Sequence, residues 1–299
     1  MNLSKKSNFD VQPCFESEFN QNNKSTYCDY NEAFIVYDQI RRPHGLQSIL
    51  NIFQQSEVPL EEQHILEGGF GTGAYLDLIR HHVKKMYGVE GSDEGYQQTQ
   101  KKINNAANVI LQIGNILQLP FREDFFHGYL VNQVVHHLDH RNDFQQLDVF
   151  LSESSRVLKP GGHLVINTCS QEQLDPDKGS YWHFKYIPSA ARAMQRQYIS
   201  IEALEARLES AGFEEVKRSI PDGKVFQQDY YENPYMGLQP DFRRGDSIYS
   251  FLSAAELEES KNRLMEAIKE GSVDRLMKRV ADRAEEIGEV VIISARKML

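Results

Sequence analysis

Ile65-Leu66-Glu67-Gly68-Gly69-Phe70-Gly71-Thr72-Gly73 is the stretch around which the rest of the chain reads. Two branched apolar residues run into an acid and then a glycine-rich turn. Ala74-Tyr75-Leu76-Asp77-Leu78-Ile79 follows with its apolar positions at helical spacing. That is the pattern of a buried strand, a tight turn and a helix start. Glycines at 69, 71 and 73 let the backbone take positive φ and approach a ligand with no Cβ in the way. Glu67, at the strand's end, is an acceptor-only group aimed at whatever lies over the turn.

By itself the turn has more than one reading. Gly69-Phe70-Gly71-Thr72-Gly73-Ala74 also fits the G-x-G-x-x-G/A fingerprint of nicotinamide-dinucleotide enzymes. The residues here predict a nucleotide-type cofactor, with a purely structural glycine turn as the other reading. The choice of cofactor rests on motifs further along the chain.

Upstream, Tyr27 to Gln55 predicts two helices broken at Arg42-Pro43-His44-Gly45. Downstream, strands are predicted at Lys85–Glu90, Val109–Ile113, Gly128–Asn132 and His163–Thr168. Helical stretches lie between, over Asp93 to Ala107 and from Phe144 to Leu158. Strands alternating with helices at this spacing mean a doubly wound, mostly parallel α/β sheet. In such sheets the ligand lies beyond the carboxyl ends of the strands. Glu67, Glu90, Asn115 and Asn132 are each the polar residue at such an end, and all four are expected to face one crevice.

The chain has 299 residues, 40% hydrophobic and 25% charged, a composition of soluble globular proteins with room for a full core. The net charge of −10 argues against a nucleic-acid partner, since phosphate neutralisation calls for a basic face. No apolar run approaches the roughly 20 residues that cross a bilayer, so no membrane partner is expected. Met1-Asn2-Leu3-Ser4-Lys5-Lys6 is followed by no apolar segment of a secretory signal. Cys14, Cys28 and Cys169 are odd in number and without metal-ligand spacing. They predict reduced thiols, a cytoplasmic protein and no metal.

Residues 1–26, rich in Asn, Ser, Gln and Lys, read as a flexible arm, and 27–299 as a single domain. After Cys169 the α/β rhythm stops. Residues 171–198 are aromatic and basic. Ser200 is expected to cap a helix that ends at Gly212, before a strand at Val216–Ile220. Residues 222–287 form a second long insertion ending in two amphipathic helices, the last with Ser272 as its expected cap and an apolar stripe read as packing. Glu289–Ala295 is the expected final strand.

Taken together these motifs resemble the class I S-adenosylmethionine-dependent methyltransferases, in their small-molecule branch. Ile65-Leu66-Glu67-x-Gly69-x-Gly71-x-Gly73 is similar to the family's first motif, and Tyr87-Gly88-Val89-Glu90-Gly91-Ser92 to its ribose-binding strand. Gly114-Asn115-Ile116 with Leu119-Pro120-Phe121, Val135-His136-His137-Leu138, and Arg156-Val157-Leu158-Lys159-Pro160-Gly161-Gly162 resemble later motifs in register. The likeness covers about residues 30–170 and the remainder in outline. It departs at Asn115 and at His127, where the family more often has Asp.

The resemblance implies a seven-stranded Rossmann-like sheet, an N-terminal helical cap and an aromatic-rich, partly helical lid. It implies S-adenosylmethionine as methyl donor and S-adenosylhomocysteine as product. By the same resemblance, the Gly69–Gly73 backbone and Glu67 lie at the methionine part, Glu90 with Gly91 at the ribose hydroxyls, and Asn115 and Ile116 at adenine. Asn132 lies near the sulfonium, and Tyr37 and Arg42 over the cofactor. Tyr37 reads equally as a core aromatic.

The acceptor is expected to be a small molecule methylated at nitrogen, oxygen or sulfur, in a monomer or homodimer. His136 and His137 are candidate bases if the acceptor carries a proton, or else structural histidines packing the next helix. His183 is a third candidate. Tyr181, Trp182, Tyr186, Tyr230 and Tyr231 read either as a cation-holding aromatic wall or as the dry core of the lid, and Arg243 as a grip for a carboxylate. A nicotinamide-dependent oxidoreductase and a non-catalytic cofactor-binding protein are the competing functions. The first leaves Leu119-Pro120-Phe121 and His136-His137-Leu138 unexplained.

Overall fold

The computed structural model describes residues 33–104, 106–138 and 143–299. The expected arm at 1–26 with Cys14, and Cys28 with the start of the helical stretch expected from Tyr27, lie outside the described residues.

Five parallel strands form first: β1 (His64–Gly68), β2 (Lys85–Glu90), β3 (Val109–Ile113), β4 (Phe126–Asn132) and β5 (Leu158–Thr168). Residues such as Ile65, Leu66, Tyr129, Leu130 and Val131 are covered on both faces, which explains their near-continuous apolar runs. Two late strands, β6 (Phe213–Ser219) and β7 (Val291–Lys297), complete a seven-stranded sheet in the order β3-β2-β1-β4-β5-β7-β6. β7 is inserted antiparallel between β5 and β6.

The helices that feed the sheet carry their own start and stop signals. α1 (Tyr37–Ile40) and α2 (Leu46–Phe53) flank the break at Pro43, and α3 (Ala74–Ile79) leaves the glycine turn. α4 (Asp93–Ile103) is capped by Ser92, whose hydroxyl accepts from Gly95 N at 3.2 Å. Acids in its first turn and lysines in its last complement the helix dipole. α5 (Gln145–Val157) precedes β5, and α7 (Ile201–Ser210) starts at the Ser200 cap as expected.

Inserted around this frame are α6 (Pro188–Gln195), then α8 (Gln228–Glu232), α9 (Pro240–Gly245), α10 (Ala254–Lys269) and α11 (Ser272–Ile287). They share a core of their own, in which Trp182, Phe226, Tyr230, Phe242 and Leu264 are buried together. The stripe of α11 packs here: Val273 is buried, and Leu276, Met277 and Val280 rest on the same cluster.

Several boundaries differ from expectation: β4 and β5 begin earlier, at Phe126 and Leu158 instead of Gly128 and His163. Gly271, left-handed at φ 65°, starts α11; Ser272 is already helical, and its hydroxyl donates back to Ala267 O instead of capping. β6 begins at Phe213, whose side chain is fully buried in the sheet core. β7 begins later than expected because Glu289 turns its carboxylate into the insertion, accepting from Val225 N at 2.8 Å and from the Tyr231 hydroxyl at 2.7 Å. Among the described residues no helix is long and apolar enough to cross a membrane.

Candidate functional site

A cavity of about 1090 Å³ lies over the carboxyl ends of β1, β2 and β4 and is roofed by the insertions and the α1 segment. Its floor is set by the glycine turn. Gly69 and Gly73 have φ of 67° and 72°, and a Cβ on Gly73 would sit 2.4 Å from the Thr99 methyl. Only glycine fits there, because the turn must close onto α4. Thr72 donates to Asp38 at 2.6 Å, and Lys102 holds the other Asp38 oxygen at 2.6 Å, so α1 is fastened over the turn.

Glu90 ends β2 and accepts from Gly71 N and Ser92 N, both at 2.8 Å. Burial raises its pKa, and these N–H groups partly offset that. Glu67, one strand over, is pushed up to about 8 by burial first and the charge of Glu90 second. Glu67 Oε2 and Asn132 Oδ1 are buried with no hydrogen-bond partner among the described residues. Two acceptors left open on neighbouring strands are costly unless a donor arrives. Asn115 Oδ1 accepts from Leu117 N at 2.9 Å, so its carbonyl keeps one lone pair for a ligand.

The roof is built differently. Arg41 lies over the rings of Phe226 and Tyr37 and pairs with Asp246 at 3.0 Å. Asp246 also meets His183 Nε2 at 3.2 Å, and His183 Nδ1 lies 2.8 Å from the Tyr230 hydroxyl. Burial alone would raise the Asp246 pKa, but Arg41 and His183 carry it below the ordinary value. Burial lowers His183 despite Asp246. Asp246 is therefore ionised and His183 neutral, with Nε2–H donating to the carboxylate and Nδ1 accepting from Tyr230, an assignment inferred from the network.

Of the residues expected at the site, Tyr37, Arg42, Glu67, Gly69, Gly71, Glu90, Gly91, Asn115, Ile116 and Asn132 line the cavity, as do His136, His137 and Tyr181. Gly73 lies beneath it at the start of α3. Trp182, His183, Tyr186, Tyr230, Tyr231 and Arg243 are behind the wall. Trp182 donates to Tyr230 O and stacks on that ring, Tyr231 holds Glu289, and Arg243 turns to Gly237 O. Trp182, Tyr186 and Tyr230 are buried in the core of the insertion with Tyr231 packed against them, so these aromatics form the interior of the lid rather than a face toward a substrate.

His136 stacks on Tyr198 with centroids 4.4 Å apart, and the His137 ring lies 4.0 Å from it. Burial, then the neighbouring His137 and Arg41, drive the His136 pKa well down, and burial pushes His137 to about 3. Both rings are neutral at pH 7, and burial makes them weak bases. Cys169, also on the wall, is pushed up to about 11 by burial and stays a thiol.

Arg41, His44, Tyr75, Gln133, Tyr198, Phe226 and Asp246 complete the wall without having been singled out. Gln133 and His44 did carry a signal, each being a polar residue directly beside a predicted strand end or helix start. Among the described residues no cluster of three or more His, Cys, Asp or Glu side chains is arranged to hold a metal.

A profile of the methyltransferase domain matches residues 66–166, which run from β1 through β5 and contain most of this floor. That segment is similar to the methyltransferase domain. The O-methyltransferase resE of Aspergillus sclerotiorum is 31% identical over 109 residues, 35% of this chain and 39% of that protein. This chain thus spans about two fifths of that relative's length. A putative methyltransferase from an antibiotic biosynthesis pathway of Anabaena variabilis shares the fold, with a TM-score of 0.63 at 18% identity over 85% of this chain and 98% of that one. Phosphoethanolamine N-methyltransferase 2 of Haemonchus contortus, solved with S-adenosyl-L-methionine, superposes with a TM-score of 0.52 at 16% identity, covering 90% and 57% of the two chains. The methyltransferase fold also accounts for β7: the order 3-2-1-4-5-6 of dinucleotide-binding sheets has no antiparallel strand at this place.

Proposed function

We propose that the chain transfers a methyl group from S-adenosylmethionine to a nitrogen, oxygen or sulfur of a small-molecule acceptor. The observation that carries this reading is the pair of unpartnered buried acceptors, Glu67 Oε2 and Asn132 Oδ1, at the centre of the methyltransferase floor. They fit the ammonium group of the donor's methionine part, which brings the hydrogen-bond donors they lack. Glu90 is placed for a bidentate hold on two ribose hydroxyls, and Asn115 and Ile116 for the adenine edge and face. Arg42 and Tyr37 close this half from above.

When bound, the donor supplies a methyl group already activated on a sulfonium. The chain's share is then alignment and exclusion of water. A volume of about 1090 Å³ exceeds the usual range for one drug-sized ligand, about 300–1,000 Å³, as a donor and an acceptor together require. The roof residues Tyr181, Phe184 and Phe226 keep the acceptor half dry. His136 and His137 line the cavity as candidate bases for a hydroxyl acceptor, but the burial that keeps both rings neutral also makes them weak bases. The acidic chain and the roofed cavity favour a small acceptor over a nucleic acid.

Isothermal titration with S-adenosylmethionine, S-adenosylhomocysteine and NADH tests the cofactor. The first two should bind and NADH should not; silence from both sulfur ligands would overturn the reading. Transfer of labelled methyl to a panel of small acceptors then separates an enzyme from a protein that only holds the cofactor.

A further inference from the structure

The floor and the roof meet at Gln133, the residue after β4. Its backbone is left-handed, with φ 53°, a conformation that glutamine seldom adopts. The tip of the neighbouring strand imposes it, because Gln133 N donates to Asn167 O at 2.8 Å. Strain of this kind at a cavity wall points to a side chain that must be aimed.

The aim is set at its oxygen. The Tyr198 hydroxyl reaches Gln133 Oε1 at 3.2 Å, and the Cys169 thiol, whose one hydrogen is shared with Glu289 O at 3.6 Å, lies 3.7 Å from the same oxygen. With its oxygen assigned to these partners, an orientation inferred from the network, Nε2 is the atom left over. Gln133 Nε2 is buried and has no partner among the described residues, and Gln133 lines the cavity. A buried donor without an acceptor is costly, so the site is one that a ligand oxygen completes.

The rest of this half describes the ligand around that oxygen. Tyr181, Phe184, Phe226, Leu174 and Met194 give it apolar walls. The carboxylate on these walls, Asp246, is already engaged by Arg41 and His183. Among the described residues of these walls no unengaged carboxylate remains to receive a cation.

Resting on the methyl-transfer reading, we propose that Gln133 orients the acceptor. Its Nε2 donates to an oxygen of a largely apolar acceptor that is uncharged or anionic, not an ammonium compound.

The test uses naphthalene, 2-naphthol, 2-naphthoate and 2-naphthylmethylammonium as probes of one shape. Each is titrated into the full chain saturated with S-adenosylhomocysteine. The oxygen probes should bind about tenfold tighter than naphthalene, the worth of one well-placed hydrogen bond, and the ammonium probe no tighter. Gln133→Leu should abolish the preference while leaving naphthalene and S-adenosylhomocysteine affinities unchanged. Gln133→Glu, which keeps size and the Tyr198 bond, should turn the preference toward the ammonium probe and guards against a misfolded leucine variant.

A native preference for the ammonium probe, no binding by any probe, or an oxygen preference that survives in both variants would overturn the proposal and leave methyl transfer standing. Failure of S-adenosylhomocysteine to bind the native chain would instead overturn the methyl-transfer reading, and this inference with it.

Discussion

The floor and the roof of the cavity handle buried polarity in opposite ways. On the floor Glu67 and Asn132 keep acceptors without partners among the described residues. In the roof Asp246 is tied to Arg41 and His183, His183 to Tyr230, and Tyr231 to Glu289. An unsatisfied buried acceptor costs stability in the empty protein and returns it when a ligand arrives, whereas a closed network stabilises one arrangement from the start. The floor is therefore poised for binding and the roof for holding shape. Substitutions in the two regions should separate into affinity effects and stability effects.

The largest effect is expected in the roof. Asp246→Asn keeps the volume but takes the carboxylate from Arg41 and His183, and should cost about 3 kcal/mol of unfolding free energy. Urea denaturation measures it. At temperatures where the variant is folded, S-adenosylhomocysteine should bind within a few-fold of the native affinity. A large loss of affinity without loss of stability would place Asp246 in the binding machinery and break the contrast.

Glu90→Ala is the converse. It removes both acceptor oxygens meant for the ribose and should weaken S-adenosylhomocysteine binding by about 1.5–3 kcal/mol, as for hydrogen bonds to charged groups. Unchanged affinity by calorimetry would take Glu90 out of the site. Glu67 adds a signature in pH. Its folded pKa of about 8 stands above the ordinary 4.5, so the folded state binds the extra proton. The stability this group contributes is present below 4.5 and lost as pH rises toward 8. Glu67→Gln should flatten that part of the stability profile. In the native protein, binding a ligand ammonium should expel the proton. Titration at pH 7 in buffers of different ionisation enthalpy reads its release, and Glu67→Gln should abolish it.

The same division governs what could be read from sequence. Floor residues sit at the ends of strands whose apolar runs are local, so Glu67, Glu90, Asn115 and Asn132 could be placed in one crevice before any coordinates. The roof is made of pairs distant in the chain: Arg41 and Asp246 are 205 residues apart, and no periodicity reports such a contact. Trp182, Tyr230 and Tyr231 looked alike as a wall or as a core, because an aromatic residue satisfies either. Their placement was decided by hydrogen bonds such as Trp182 Nε1 to Tyr230 O, which composition does not encode. Ser272 was misplaced for a local reason, since Gly271 takes the left-handed start of the helix one residue earlier.

The smallest effect sharpens the contrast by separating the roof's network from the mere presence of its helices. Ser253 and Glu256 form a reciprocal cap at the start of α10. Glu256 N donates to Ser253 Oγ at 3.3 Å, and Ser253 N to Glu256 Oε2 at 2.9 Å. Ser253→Ala should cost about 1 kcal/mol of stability, typical for a lost N-cap. Neither residue lines the cavity, so ligand affinity should stay at the native value. If Ser253→Ala weakened the binding of S-adenosylhomocysteine, α10 would be coupled to the floor through the order of the whole insertion. The roof would then be part of the binding equilibrium and not only its scaffold.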